Sequence, residues 1–317
     1  MPNPAVVYAK DILRWMYWGP VRAIVRLAPR GLSYRLIVLP AAIAMTLMPG
    51  RSARIARWIS RVKGAPSTRW DVLDTYVQYY RNSLDTLLYS KLGPSNIDRF
   101  IKYEGLENLD KALSQGRGAI LLHPHFGNEE CLMPAMGHKG YRVSQIASRW
   151  EPHYLKGAIY ALSNRIRRRA WLMRIGTRES LPVGFVYIDE GVRDIYRLLA
   201  RNEVLLLAMD GREGASWLSV GFLGMQARIS PGPMKIARST GAPVLPVVII
   251  RTGLYAHTVH IMKPIDQPAG GSDFIESGTR AALAAVEPHI RRHPSQYAKF
   301  LLLDVELFEG PEVVTDR

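Results

Sequence analysis

The chain has 317 residues, about half of them hydrophobic, with a net charge of +15 and a single cysteine, Cys131. That length accommodates one large α/β domain with an appendage, and the hydrophobic content excludes wholesale disorder. One cysteine excludes an internal disulfide framework and a cysteine-rich zinc site, and it fits a reducing compartment.

The charge is unevenly spread. Met1 to Lys63 hold eleven Lys or Arg against one acid, Asp11, and so account for +10 of the +15. The residues interleaved with them include Trp15, Tyr17, Trp18, Ile24, Val25, Leu27 and Leu32. Basic residues mixed with Trp and aliphatics describe a membrane-surface segment better than a phosphate-tracking groove, so no nucleic-acid partner is expected. Residues 36–48, LIVLPAAIAMTLM, form an uncharged run of thirteen. A perpendicular span needs about twenty, so the run predicts a re-entrant or in-plane segment. The basic, aromatic stretch ahead of it does not fit a signal peptide. In residues 51–63, RSARIARWISRVK, Ile55, Trp58, Ile59 and Val62 share one helical stripe, with Arg51, Arg54, Arg57 and Arg61 elsewhere. The pattern predicts an amphipathic helix. Its greasy, basic neighbour favours a membrane-lying helix over one packed on its own domain.

Gly64-Ala65-Pro66-Ser67 punctuates the chain and divides it into a membrane-associating segment, 1–63, and an α/β domain, 64–317. Residues 69–90 read as a helix with a stripe through Val72, Tyr76, Tyr79 and Tyr80, a core pattern. Residues 108–115 are helical in character; Gly116-Arg117-Gly118 then turns into the apolar run AILLH. Further short apolar runs follow at 142–148, 204–210 and 242–251. Such strands, separated by helical patterns, predict a layered α/β/α domain around a mostly parallel sheet covered on both faces.

The chemistry gathers where the first strand ends, in HPHFGNEE, residues 123–130. Ligands of open α/β sheets bind beyond strand ends, where loops carry polar groups. His125 and Glu130 are five apart and would not share a face of one continuous helix. A turn at Gly127 can fold the carboxylate back onto the imidazole. A carboxylate on one ring nitrogen fixes the tautomer and leaves the other as a base. His123, before Pro124, can stack or donate in the pocket, with packing the favoured reading. Glu129 reads as solvated or paired with an Arg. Asp210, at another strand end, either orients a cationic group or caps backbone. The basic cluster NRIRRR, 164–169, with Arg174 and Arg178, reads first as a solvated face and second as a phosphate-binding group. Arg149, at the end of the strand after the motif, is the better single candidate.

Another chemistry competes. His123-x-His125 with nearby carboxylates and Asp210 has the look of a metal hydrolase, and His257 and His260 are further potential ligands. Those two lie three apart in an apparent strand and so point to opposite faces. A basic membrane-binding module without catalysis is the third reading.

GLENLDKALSQGRGAILLHPHFGNEE, from Gly105 to Glu130, resembles the bacterial lipid A biosynthesis acyltransferase family and the related mycobacterial phosphatidylinositol mannoside acyltransferases. The matching positions are Gly105, Glu107, Gly116, Gly118, His125, Gly127, Asn128 and Glu130, with Glu129 in place of the usual Trp. A second block, residues 209–251, matches at Asp210, Phe222, Gly224, Gly232, Ala237, Gly241, Ala242, Pro243 and Pro246. IRRHPSQY, 290–297, is similar to the C-terminal I-x-x-x-P-x-Q-W, with Tyr297 for Trp. The resemblance implies acyl transfer from acyl-CoA or acyl carrier protein to a hydroxyl or amine of a lipid or glycolipid acceptor. It implies a His-x4-Glu pair of His125 as base and Glu130 as its partner, with no metal or cofactor. His123, Asn128, Arg149, Asp210, Phe222 and Gly224 are the substrate-binding candidates. It further implies a peripheral or monotopic protein on the cytoplasmic face of the bacterial inner membrane. The second block reads DGRE where lipid A enzymes show DQD, which leaves the acceptor open.

Overall fold

The computed structural model describes residues 4–147, 165–187, 191–211, 216–266, 274–303 and 307–308. The two strands β2 (Ala119–His123) and β8 (Val244–Arg251) bury every residue, as apolar runs do when helices cover both faces of a sheet. They lie side by side at the centre of seven strands among the described residues. The order is β1 (Ile101–Glu104), β9 (His257–Ile261), β8, β2, β5 (Val204–Ala208), β3 (Val143–Ala147), β4 (Gly184–Tyr187). Every neighbouring pair is parallel except β8 with β9. The predicted α/β class with a mostly parallel sheet is the observed one.

Alternation along the strands divides the core in two. Ile120, Leu122 and Leu205 join one buried cluster and Ala119, Leu121 and Leu206 the other. On the second face lie helices α7 (Leu106–Leu113) and α8 (Leu132–His138). The first is covered by α10 (Arg193–Ala200), α11 (Gly232–Thr240) and α12 (Phe274–Arg292). Two further helices are α9 (Arg165–Glu179) and α13 (Ala298–Leu302). A separate hairpin, β6 (Leu218–Phe222) with β7 (Met225–Ile229), turns through Leu223 and Gly224, both at positive φ. That is the two-residue turn whose twist suits paired antiparallel strands.

Ahead of the sheet come α1 (Pro4–Met16), α2 (Arg22–Leu27), α3 (Arg30–Leu36), α4 (Val38–Leu47), α5 (Pro49–Lys63) and α6 (Arg69–Leu88). Thr68 and Asp71 cap α6 reciprocally, satisfying two end donors. Helix α5 corrects one expectation. Its stripe of Ile55, Ile59 and Val62 is buried in the protein, and Trp58 packs 5.6 Å from the Tyr297 ring. The apolar face of α5 therefore covers its own domain. Helix α4 does the reverse: it buries Ala41, Ala44 and Met45 and turns Leu39, Ile43 and Leu47 outward. Of the eighteen exposed large hydrophobic side chains among the described residues, twelve fall between Tyr8 and Met48, so the apolar surface is concentrated here. No single described helix is long and apolar enough to cross a membrane; Gly31–Leu47 and Pro49–Lys63 pass that test only as a pair bent by 101°.

Gly64 ends α5 in the left-handed conformation, where the sequence places its boundary. The buried clusters run across that turn. Ile55 and Ile59 pack with Val72 and Tyr76 of α6, and Tyr34 packs with Leu84 and Leu87. Helices α2 to α5 and the domain after Gly64 thus share their core.

Candidate active site

Strand pairing builds the site. His123 of β2 lies opposite Ala208 of β5, and the Met209 N–H donates to the His123 carbonyl at 2.9 Å. Two residues beyond each paired position stand His125 and Asp210. The His125 ring donates from Nδ1 to Asp210 Oδ1 at 2.7 Å, and its backbone N–H reaches both carboxylate oxygens at 3.1 and 3.0 Å. Asp210 is fully enclosed, whereas the His125 side chain is 29% exposed. The Tyr297 hydroxyl donates to Asp210 Oδ2 at 2.5 Å.

Burial alone would raise the Asp210 carboxyl, but His125 and Tyr297 hold it down at about 2. Burial alone would lower the His125 imidazole; the Asp210 carboxylate outweighs it and leaves His125 above the ordinary histidine value. With Nδ1 committed to a carboxylate, Nε2 is the nitrogen free to accept a proton.

The ring nitrogen that spacing assigns to Glu130 is thus held by Asp210. Glu130 remains 45% exposed and accepts from Lys299 Nζ at 3.2 Å. Lys299 also donates to Glu129 at 2.5 Å. Glu129 is buried, and its partner is a lysine where the sequence suggested solvent or an arginine. Glu130 does belong to the neighbourhood: Lys299 first, then Arg174 and His125, lower its carboxyl.

The binding candidates separate. His123 is buried, with Nδ1 3.2 Å from the Pro124 carbonyl and Nε2 without a hydrogen-bond partner among the described residues. Burial and the neighbouring His125 hold it neutral, down at about 4. Asn128 is also buried, with both ends of its amide engaged: it donates to Asp85 at 2.7 Å and accepts from Tyr89 at 3.1 Å. Phe222 is a core residue stacked on Phe308 at 6.3 Å, and Gly224 serves the β6–β7 turn. The His123, Asn128 and Phe222 side chains are thus all buried. Arg149 lies outside the described residues. In the basic cluster, Arg167 forks onto Asp11 at 2.5 and 2.8 Å, and Arg178 lies 3.9 Å over the Phe185 ring.

Glycine is required at Gly127. Its φ is +67°, and a Cβ there would fall 1.6 Å from the Ile249 carbonyl oxygen, far inside contact distance. Its N–H donates to the Gln296 carbonyl at 2.9 Å, and its own carbonyl accepts from Asn82 at 2.6 Å. Tyr297, Gln296, Asn82 and Lys299 were not singled out for these roles by sequence. The only local signal was IRRHPSQY, which marks the segment without showing what it touches.

Among the described residues, no group of three or more His, Cys, Asp or Glu is placed to hold a metal ion. His257 lies buried with Nε2 3.4 Å from Asp85, while His260 pairs with Glu104 at 2.8 Å, so the two indeed leave β9 on different faces. The Cys131 thiol is buried and pushed up by desolvation, the opposite of an activated nucleophile.

A strand-end histidine oriented by an enclosed carboxylate, in a layered α/β domain, is an arrangement in which the imidazole can accept a proton. The chain belongs to the bacterial lipid A biosynthesis acyltransferase family, whose model matches residues 3–303. Among curated proteins it is similar to the phosphatidylinositol mannoside acyltransferase of Mycobacterium tuberculosis, 27% identical over 259 residues, covering 77% of this chain and 74% of that protein. It is also similar to the protein of that name from Mycolicibacterium smegmatis, 25% identical over 244 residues, covering 73% and 71%. The protein is a lipid acyltransferase.

Proposed function

We propose that the enzyme moves a fatty acyl group from acyl-CoA or acyl carrier protein to a hydroxyl or amine of a glycolipid acceptor, with His125 as general base. An acceptor hydroxyl gives its proton to His125 Nε2 while its oxygen attacks the thioester carbonyl. The tetrahedral adduct collapses, the carbon–sulfur bond breaks, and the leaving thiolate takes the proton back from the imidazolium. Ester and free thiol are the products. The observation that carries this reading is the 2.7 Å hydrogen bond from His125 Nδ1 to the enclosed Asp210. It fixes the tautomer and balances the cation formed in the transition state. Glu130 and Lys299 form a charged rim beside it, where Glu130 tunes the local field.

These groups suffice for the proton transfer, so no metal is required, and activity is expected to survive dialysis against a chelator. Loss that zinc or manganese restores would favour the hydrolase reading. The relatives' names favour a glycolipid acceptor. The deciding experiment incubates purified enzyme with labelled acyl-CoA and acyl carrier protein donors and a bacterial lipid extract, and identifies the acylated product by mass spectrometry. Transfer to no lipid from either donor would overturn the reading.

The same proposal places the enzyme on the cytoplasmic face of the inner membrane, peripheral or monotopic. Its support is the outward Leu39, Ile43 and Leu47 within a strongly basic segment, since each Lys or Arg near an anionic surface adds about 1 kcal/mol. High salt is expected to release the protein only in part and detergent fully. Because α2 to α5 share the protein's core, the test substitutes Leu39, Ile43 and Leu47 with Glu and leaves the segment in place. Undiminished binding of that variant to anionic vesicles would move the contact elsewhere.

A further inference from the structure

Behind the loop that carries His125 lies a second buried carboxylate, Asp85, which the proton transfer does not use. It projects from α6 with 8% of its surface exposed. One oxygen accepts from the Tyr34 hydroxyl; the other accepts from Arg251 at 2.5 Å and Asn128 at 2.7 Å. A carboxylate this enclosed persists as an anion only when its lone pairs are met. The Arg251 guanidinium, with His257 and Tyr34, accordingly holds it far below the carboxylate range against the cost of burial.

The partners close a circuit around the loop. Asn82, three residues before Asp85 on α6, accepts from Arg251 at 2.7 Å and donates to the Gly127 carbonyl at 2.6 Å. Gln296 clamps the Arg251 backbone with two hydrogen bonds, 2.8 and 3.0 Å, and takes the Gly127 N–H on its own carbonyl. The next residue, Tyr297, holds Asp210. Gly127 and Asn128, immediately after His125 and Phe126, are therefore fixed at the N–H, the carbonyl and the side chain by one connected group of donors and acceptors. Among the described residues, its one member from the outward-facing apolar helices is Tyr34, on α3, which is 1% exposed.

We infer that Asp85 is a positioning residue for the transfer reaction, and that Tyr34 couples the seating of the apolar helices to the placement of the His125 loop. Asp85 acts through Asn128 on the loop and never meets substrate. Among the described residues, Tyr34 supplies the one donor to Asp85 that arrives from the helices bearing the exposed leucines and isoleucines. A shift of α3 withdraws that donor, and the carboxylate then redistributes its remaining bonds between Arg251 and Asn128. The role in turnover rests on His125 being the base; the mechanical coupling does not.

The test uses the full chain and three variants: Tyr34→Phe, Asn128→Ala and their double. Hydrogen–deuterium exchange of a peptide spanning 124–131 reads the loop directly. Turnover is read as thiol release from palmitoyl-CoA with vesicles of a bacterial lipid extract, normalised to folded protein by circular dichroism. Tyr34→Phe is expected to accelerate exchange in the loop, which lies on a different element from the substitution, and to lower turnover about tenfold with half-saturation by palmitoyl-CoA unchanged, a size typical of coupled neighbours. The double variant is expected to fall no further than the more damaged single, since both act through one carboxylate. Loop exchange identical to wild type in Tyr34→Phe, or losses that multiply in the double, overturns the inference. His125→Ala in the same assay separates the two claims. If it keeps full turnover, the reading of the base fails while the exchange result stands; if it is inactive and Tyr34→Phe behaves as wild type, only the coupling fails.

Discussion

At the floor of the site, Asp210 is fully enclosed and divides its oxygens between His125 and Tyr297; at the rim, Glu130 stays half exposed and shares Lys299 with Glu129. Asp210 stands two residues past the end of β5 and Glu130 lies in the short turn Glu129–Cys131, and Glu130 is far the closer to His125 in sequence. Their difference lies in solvent. A charge pair removed from water interacts several times more strongly than one that water can screen, so the enclosed carboxylate can hold a tautomer and balance a cation while the rim pair mainly adjusts the local field. The lysine also ties Glu130 to a partner that is already a full cation.

The largest effect that bears on this comparison is at the base itself. His125→Ala is expected to lower transfer by about a hundred to ten-thousandfold, the usual contribution of a positioned general base. Steady-state turnover with circular dichroism to confirm folding checks it, and near wild-type turnover would remove His125 from the mechanism.

Asp210→Asn comes next, with a loss of about a hundredfold or more, because the amide no longer balances an imidazolium and can hold the wrong tautomer. The pH profile carries a sharper signature. Turnover needs neutral His125, so in the wild type it rises with pH through a value above the ordinary histidine pKa of about 6.5; in Asp210→Asn that limb should move to lower pH. Stability follows the opposite sign for the two partners. The contribution of His125, whose pKa is raised on folding, is complete below the ordinary histidine value and is lost as pH rises through its folded value. The contribution of Asp210, whose pKa is depressed, is present above the ordinary carboxylate value and is lost as pH falls toward about 2. Denaturation midpoints of wild type and variant across that range test both signs.

Tyr297→Phe removes one donor from the enclosed carboxylate. A hydrogen bond to a buried charge contributes about 1.5–3 kcal/mol, so a lower denaturation midpoint should accompany an activity loss of about tenfold. The smallest effect is predicted at the rim. Glu130→Gln weakens a half-exposed ion pair of the kind that contributes up to about 1 kcal/mol, or about fivefold or less in rate. Should Glu130→Gln cost more turnover than Asp210→Asn, the assignment of floor and rim is reversed and the His-x4-Glu pairing regains its place.

Much of this was legible in the residues. The run AILLH is β2 to the residue, the helix expected over 69–90 spans 69–88, and the expected strands at 142–148, 204–210 and 242–251 contain β3, β5 and β8. Continuous apolar runs announce central strands because both faces are buried. The edge strands β1 and β4 were missed for the converse reason: they are four residues long and partly solvated, so neither carries such a run.

By itself, then, the sequence determined the layered α/β class, the strand-end loop with His125, the need for glycine near it and a strongly basic, apolar N-terminal region. Those are local properties, set by periodicity, composition and backbone sterics within a few residues. Tertiary structure alone decided which carboxylate His125 meets, because Asp210 is brought across 85 residues only by the pairing of β2 with β5. It also decided which apolar helix faces inward. Residues 36–48 and the stripe of 51–63 both read as membrane-facing, and only the packing on α6 shows that Ile55 and Ile59 of α5 turn inward with Ala41, Ala44 and Met45 of α4 while Leu39 and Ile43 stay outside.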